Sequence, residues 1–206
     1  MFINIPFPNF KPEISKEYKL VVADHNSIKK QRKYACRIMI ILHYILCFGF
    51  SYRMCSLPNE FIRALFCFLV YLMITFSIVF LVHHFLHCLF YPIDTWKNHC
   101  YIGFYKLIPY CYCKKELNKL RLIWAAFFPF IILTIVPLVL ISDREILDIF
   151  LYSVAYGNAI LSAFDFYDIY VLLRKVPGWK NPILKSANRY FTVLKKEVKE
   201  TQDIIA

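Results

Sequence analysis

Three of the chain's six histidines stand together in the segment Val82-His83-His84-Phe85-Leu86-His87, at the end of a long apolar run. Residues four apart share one face of a helix, so His83 and His87 can both offer imidazole nitrogens to a single metal ion. The same pair also reads as interfacial aromatic side chains, placed where an apolar helix meets lipid headgroups. A second feature lies far downstream, where Asn158, Ser162 and Asp165 fall at i, i+4 and i+7 and line one stripe of another apolar stretch. Two imidazoles and a carboxylate, with a fourth position left for water, are the ligand set of a catalytic zinc site. Asp168, three residues on, is the alternative ligand to Asp165, or a group that orients a histidine from behind. The plainer reading is that these polar groups hydrogen-bond to one another inside a helical bundle.

The elements that would position these residues are apolar spans. The chain is 59% apolar with only four glycines in 206 residues, where soluble domains average roughly 45–50%. The expected fold class is therefore an all-α integral membrane protein with four transmembrane helices, at about 36–53, 64–91, 122–142 and 147–174. The first is the weakest, since its apolar core, Ile38 to Tyr52, is 15 residues long, short of the ~17 that a spanning helix needs. The second carries no acidic or basic residue but its histidines, and the third contains Pro129 and Pro137. Membrane helices tolerate proline where neighbouring groups satisfy the freed carbonyls. The polar residues of the fourth span are costly against lipid and must face protein or water.

Charge sets the orientation. Of 25 Lys and Arg, 22 lie in residues 1–37, between the second and third spans, and after Leu173. By the positive-inside rule that side is the cytoplasm, giving a multi-pass protein of the cell membrane with both termini cytoplasmic. Residues 1–34 form a cytosolic N-terminal segment, 35–176 the membrane domain and 177–206 a cytosolic tail. No secretory signal precedes the first span, which would itself serve for targeting. The second and fourth spans both run from outside to inside. At ~1.5 Å per residue, Asp165 then lies roughly 25–30 Å, and His83 to His87 roughly 30–35 Å, from the outer ends of their helices. The three candidate ligands reach a similar depth.

Other segments carry less. The run Lys29-Lys30-Gln31-Arg32-Lys33 suits a topology determinant that meets anionic headgroups. The lipid bilayer is thus the expected surroundings, and no nucleic acid partner is expected from a net charge of +11 without a folded basic module. Cysteines at 36, 47, 55, 67, 88, 100, 111 and 113 are scattered and read as reduced structural thiols, although Cys111 and Cys113 with His99 and Cys100 can be drawn as a zinc knuckle of irregular spacing. Tyr91, Tyr101, Tyr105, Tyr110 and Tyr112 suit an interfacial belt. Tyr18 to Val22 reads as a short strand, and the stretch from Arg189 to Leu194 as a strand or a surface amphipathic helix.

In these features the chain resembles a family of small bacterial membrane proteins known as putative zincin peptidases, distantly like the site-2-protease type of intramembrane metalloprotease. The resemblance covers roughly residues 60 to 195. The family's His-Glu-x-x-His motif at a helix end is matched by His83-His84-Phe85-Leu86-His87. An aromatic, Pro and Cys-rich cytosolic stretch is matched by Ile108 to Leu117, a span opening with Pro-Phe by Phe128-Pro129-Phe130-Ile131, and a polar residue followed seven positions later by aspartate by Asn158 and Asp165. The resemblance implies one zinc ion as cofactor and a peptide or membrane protein as substrate or partner. It also exposes a departure, because His84 occupies the catalytic position of the motif glutamate. In zincins that glutamate takes the proton from the zinc-bound water, and loss of a general base costs about 10²–10⁴-fold. Three readings stand: a degenerate member that binds a membrane partner, an active metallopeptidase whose base is His84 or another side chain, and a metal-free membrane interaction protein. The sequence leaves the oligomeric state open.

Overall fold

The computed structural model describes residues 18–22, 25–54, 61–92, 100–105, 108–113, 116–142, 145–176, 178–179, 182–186 and 189–193. Its frame is four helices long and apolar enough to cross a membrane. Helix α1 (His25–Met54) contributes Lys33–Tyr52, and α2 (Phe61–Cys88) spans over its whole length. The third span, Lys119–Val139, is composite: α3 (Lys119–Phe130), a π-helical segment (Ile131–Ile135) and α4 (Val136–Val139). The fourth, Ile146–Lys175, belongs to α5 (Glu145–Lys175). The first helix is longer than its apolar core because the basic run before it continues the helix, as charged residues can at headgroup depth.

Local signals account for the ends of the third span. Asn118 caps α3, its side-chain oxygen accepting the Arg121 backbone N–H at 2.8 Å. Pro129 sits inside α3, where it removes an N–H from the ladder, and the π segment follows directly. Such irregular turns are a recognised consequence of interrupting the i→i−4 pattern.

Helix α5 is the hub and packs against α1, α2 and α3. Ala155, Ala159 and Ala163, at successive i+4 positions, are fully buried. Small side chains let the neighbouring backbones approach closely, which drives helix association where no hydrophobic difference between lipid and protein exists. One apolar cluster joins Leu46 and Phe50 of α1, Ala64 of α2 and Ile149, Tyr152 and Ala159 of α5. A second, at the other end of α5, joins Leu122, Tyr167, Val171, Leu172 and Val176 to Leu117 and Ile183.

Two small sheets flank the helices. In the first, β1 (Tyr18–Val22), β5 (Arg189–Val193) and β4 (Ile183–Ser186) lie in the order β1-β5-β4, all antiparallel. Leu117 pairs with Ile183 through two backbone hydrogen bonds of 2.9 Å. The second sheet is the hairpin of β2 (Cys100–Tyr105) and β3 (Ile108–Cys113), which packs on α2. The segments before α1, before α3 and after α5 are therefore tied together on one side of the helices. The strand expected at Tyr18 to Val22 forms, and the stretch at Arg189 to Val193 is a strand rather than a helix. The β2–β3 hairpin has no counterpart in the sequence expectations, although its aromatic and β-branched residues suit a strand.

The cysteine expectation needs one correction. Cys36, Cys47 and Cys67 are free, but Cys88 at the end of α2 is disulfide-bonded. Spacing does not reveal this, because which cysteine meets Cys88, itself buried, depends on how the chain folds rather than on separation along it. The side chains of the candidate zinc knuckle (His99, Cys100, Cys111 and Cys113), of Lys29 to Arg32 and of Tyr101, Tyr105, Tyr110 and Tyr112 lie outside the described residues, as do residues 1–17, 143–144 and 194–206.

Candidate metal centre

The last turns of α2 bring His83 and His87 to face Asp165 of α5. His83 Nε2 lies 3.1 Å from Asp165 Oδ2, His87 Nε2 lies 3.4 Å from Asp165 Oδ1, and the two Nε2 atoms are 3.1 Å apart. His83 is buried at 3% exposure, whereas Asp165 and His87 keep 16% and 18%. The group is therefore walled on the His83 side and open on the other.

Hydrogen bonds on the far side of each ring decide which nitrogens face this point. His87 Nδ1 lies 2.7 Å from the Ala125 carbonyl oxygen. A carbonyl only accepts, so Nδ1 carries the proton and donates. His83 Nδ1 lies 2.8 Å from Asn158 Oδ1. The orientation of that amide follows from its other end, where Nδ2 donates to the Pro129 carbonyl at 3.0 Å and to Thr134 Oγ1 at 2.8 Å, with a longer 3.4 Å contact to Ser162 Oγ. Because the Pro129 carbonyl can only accept, Nδ2 must face it and Oδ1 must face His83. His83 Nδ1 is then also a donor. Thr134 Oγ1 donates onward to the Ala155 carbonyl at 3.3 Å, which leaves its lone pairs for Asn158.

With both Nδ1 atoms committed as donors, the rings turn their Nε2 atoms toward each other and toward a carboxylate. Two lone pairs and an anion at 3.1–3.4 Å repel unless a cation, a metal ion or a further proton, lies among them. Zinc bound tetrahedrally at about 2.0–2.1 Å places its ligands about 3.3 Å apart, so the three separations fit a shared ion. The candidate ligand atoms belong to imidazoles and a carboxylate, the donor types that zinc takes. Among the described residues, His83, His87 and Asp165 are the group whose ligand atoms all lie within 4.8 Å of one another.

The other expected site residues take distinct places. Asp168 is not part of this group. Asn158, fully buried, is the hub behind His83, and Ser162, also buried, contacts it one helical turn away. His84 does not join the convergent atoms. Its Nδ1 donates to the Phe80 carbonyl at 2.8 Å, its ring meets Phe80 edge-on at 4.7 Å, and its centroid is 5.2 Å from that of His83 and 6.1 Å from that of His87. In the neutral ring its Nε2 is then the lone-pair nitrogen.

Sequence reasoning missed the groups behind the ligands in the third span: the Ala125 and Pro129 carbonyls and the Thr134 hydroxyl. The two prolines were the available signal, since proline frees a carbonyl that some neighbour must satisfy.

No curated protein and no solved structure matches the chain. A family model described as putative zincin peptidase matches residues 76–178, the stretch that begins just before His83 and ends just after α5. Half of the chain is covered, with every residue of the convergent group and of the network behind it inside the match, and the protein belongs to the putative zincin peptidase family.

Proposed function

We propose that the protein is a multi-pass membrane protein with a zincin-like metal centre in which His83, His87 and Asp165 hold one zinc ion, and in which peptidase activity is lost or impaired because His84 replaces the general-base glutamate. The observation that carries this reading is the convergence of two Nε2 atoms and a carboxylate, with both Nδ1 atoms held from behind by oxygens that can only accept. Zinc in such a site lowers the pKa of a bound water and polarises a carbonyl.

The chain's own residues divide the work as follows. His83, His87 and Asp165 are the ligands. Asn158 and the Ala125 carbonyl orient the rings, as partners behind metal-bound histidines commonly do. In place of a carboxylate able to take a proton, His84 brings a ring whose Nδ1 is committed to the Phe80 carbonyl. The resulting role is the binding of a membrane protein or peptide near the cytosolic ends of α2 and α5. An active enzyme is the second reading, and it is favoured by one detail: the His84 Nε2 lone pair makes that ring a base in form. Placement in the cell membrane with both termini cytoplasmic belongs to the same proposal. It is supported by the charge pattern and by the sheet that gathers the three basic segments on one side.

Elemental analysis of detergent-purified protein tests the metal. Wild type is expected to hold near one zinc per chain, and His83→Ala, His87→Ala and Asp165→Ala to lose it; wild type that stays metal-free when zinc is supplied during folding ends the proposal. A peptide-cleavage assay then compares wild type with His84→Glu. Restoring the carboxylate is expected to raise turnover by about 10²–10⁴-fold, whereas wild type that already cleaves as fast establishes the second reading.

A further inference from the structure

The broken third span is tied to both histidines. In a regular α-helix the Ala125 carbonyl accepts the N–H of residue 129, and residue 129 is proline. The acceptor so released is the one that His87 Nδ1 takes at 2.7 Å. Four residues on, the Pro129 carbonyl, two residues before the π segment, accepts from Asn158 Nδ2, and Asn158 holds His83. Thr134, inside the π segment, is the other acceptor for that amide. Ala125, Pro129, Thr134 and Asn158 are all buried, so water does not compete for these bonds.

We propose that Pro129 is a positioning residue for metal ligation: by breaking the third span it releases the Ala125 carbonyl to fix the tautomer and orientation of His87, and it places its own carbonyl to fix Asn158 and through it His83. The inference rests on the metal reading above. It assigns a function to a proline that would otherwise be only a tolerated kink. Pro137, eight residues later in the same span, is a built-in comparison, since in a regular helix the carbonyl that it frees is that of Leu133, whereas His87 and Asn158 bond the Ala125 and Pro129 carbonyls.

The test uses full-length protein in detergent and zinc affinity measured by chelator competition, for wild type, Pro129→Ala and Pro137→Ala. Alanine at 129 restores an N–H that competes with His87 for the Ala125 carbonyl. Zinc affinity is expected to fall about 10–100-fold, the usual effect of losing an outer partner of a metal-bound histidine, and Pro137→Ala is expected to match wild type. The thermal midpoint of metal-free Pro129→Ala should not fall below wild type, because the substitution adds a helical hydrogen bond. A merely structural proline predicts the reverse: a lower midpoint and unchanged affinity. Nitrogen-15 spectra of the metal-free wild type give an independent reading, with His87 expected as the neutral Nδ1–H tautomer. Equal zinc affinity in Pro129→Ala and wild type, or an Nε2–H tautomer at His87, overturns the proposal, and the tautomer decides alone if the variant does not fold. Wild type that binds no zinc instead overturns the metal reading.

Discussion

Asp165 and Asp168 are three residues apart on one helix, and only the first shares a point with His83 and His87. The two are separable by substitution. Asp165→Asn is expected to abolish stoichiometric zinc, while Asp168→Asn leaves it intact, with metal content by elemental analysis as the measurement. Asn158→Ala removes the acceptor for His83 Nδ1 in a fully buried setting. That leaves a buried donor without its bond, at a cost of about 1–3 kcal/mol in stability, and it frees the ring to rotate, for an expected loss of about 10–100-fold in zinc affinity. Asn158→Asp keeps an acceptor at that place and should recover part of the affinity, which a purely structural role for the amide does not predict. At this scale the residue types and their spacing were legible in advance: a His pair four apart, and a polar stripe at helical intervals. The tautomers were not, because the groups that set them stand 38 and 75 residues away.

Among the elements, α5 decides how closely the others pack. Ala155, Ala159 and Ala163 have no exposed surface, so a larger side chain has nowhere to go. Ala159→Leu is expected to cost about 1–3 kcal/mol through overpacking, read as a lower thermal midpoint in detergent, and to loosen the approach of α2 that brings His83 to Asp165. The end of α5 is held by a different device. The buried Lys119 at the start of α3 donates from Nζ to the Val176 carbonyl at 2.9 Å and lies 4.7 Å from the Trp179 ring centroid. A cation at a helix C-terminus meets the negative end of the macrodipole as well as an open carbonyl. Lys119→Met keeps the stem and loses both interactions, and a drop of about 1–3 kcal/mol is expected, measured by unfolding. Gly178, at φ 71, turns the chain just beyond this cap, a conformation that glycine adopts without strain, so that Ile183 can return to pair with Leu117. The spans themselves follow from runs of apolar residues, and the Asn118 cap from its residue type. The composite character of the third span followed only in part, from Pro129.

Over the whole molecule, the pairing of β1 with β5 and of Leu117 with Ile183 closes the N-terminal, middle and C-terminal segments into one layer beside the helices. In the sequence, most of the positive charge belongs to these same three segments. Reporter fusions give the corresponding prediction: a cytoplasm-dependent reporter is active when fused at either terminus or in the segment before α3, and inactive in the loop at 143–144. Activity with the opposite pattern would reverse the orientation and put the candidate metal centre at the outer face.

What the sequence determined by itself is the part of the fold written in one dimension. Apolar length specifies four spans, charge asymmetry ranks their orientations, and i, i+4 and i+7 spacing places His83 with His87 and Asn158 with Ser162 and Asp165 on single helix faces. The tertiary structure decided how those faces are turned toward one another. The separation of Asp165 from Asp168 depends on the rotation of α5 about its axis, and the direction of each Nε2 depends on a carbonyl or an amide contributed by another helix. The physical reason is that spacing along a helix fixes positions only relative to that helix, whereas ligand atoms meet within 3.1–3.4 Å only after small residues on α5 and a broken ladder at Pro129 have set the distance and register between helices.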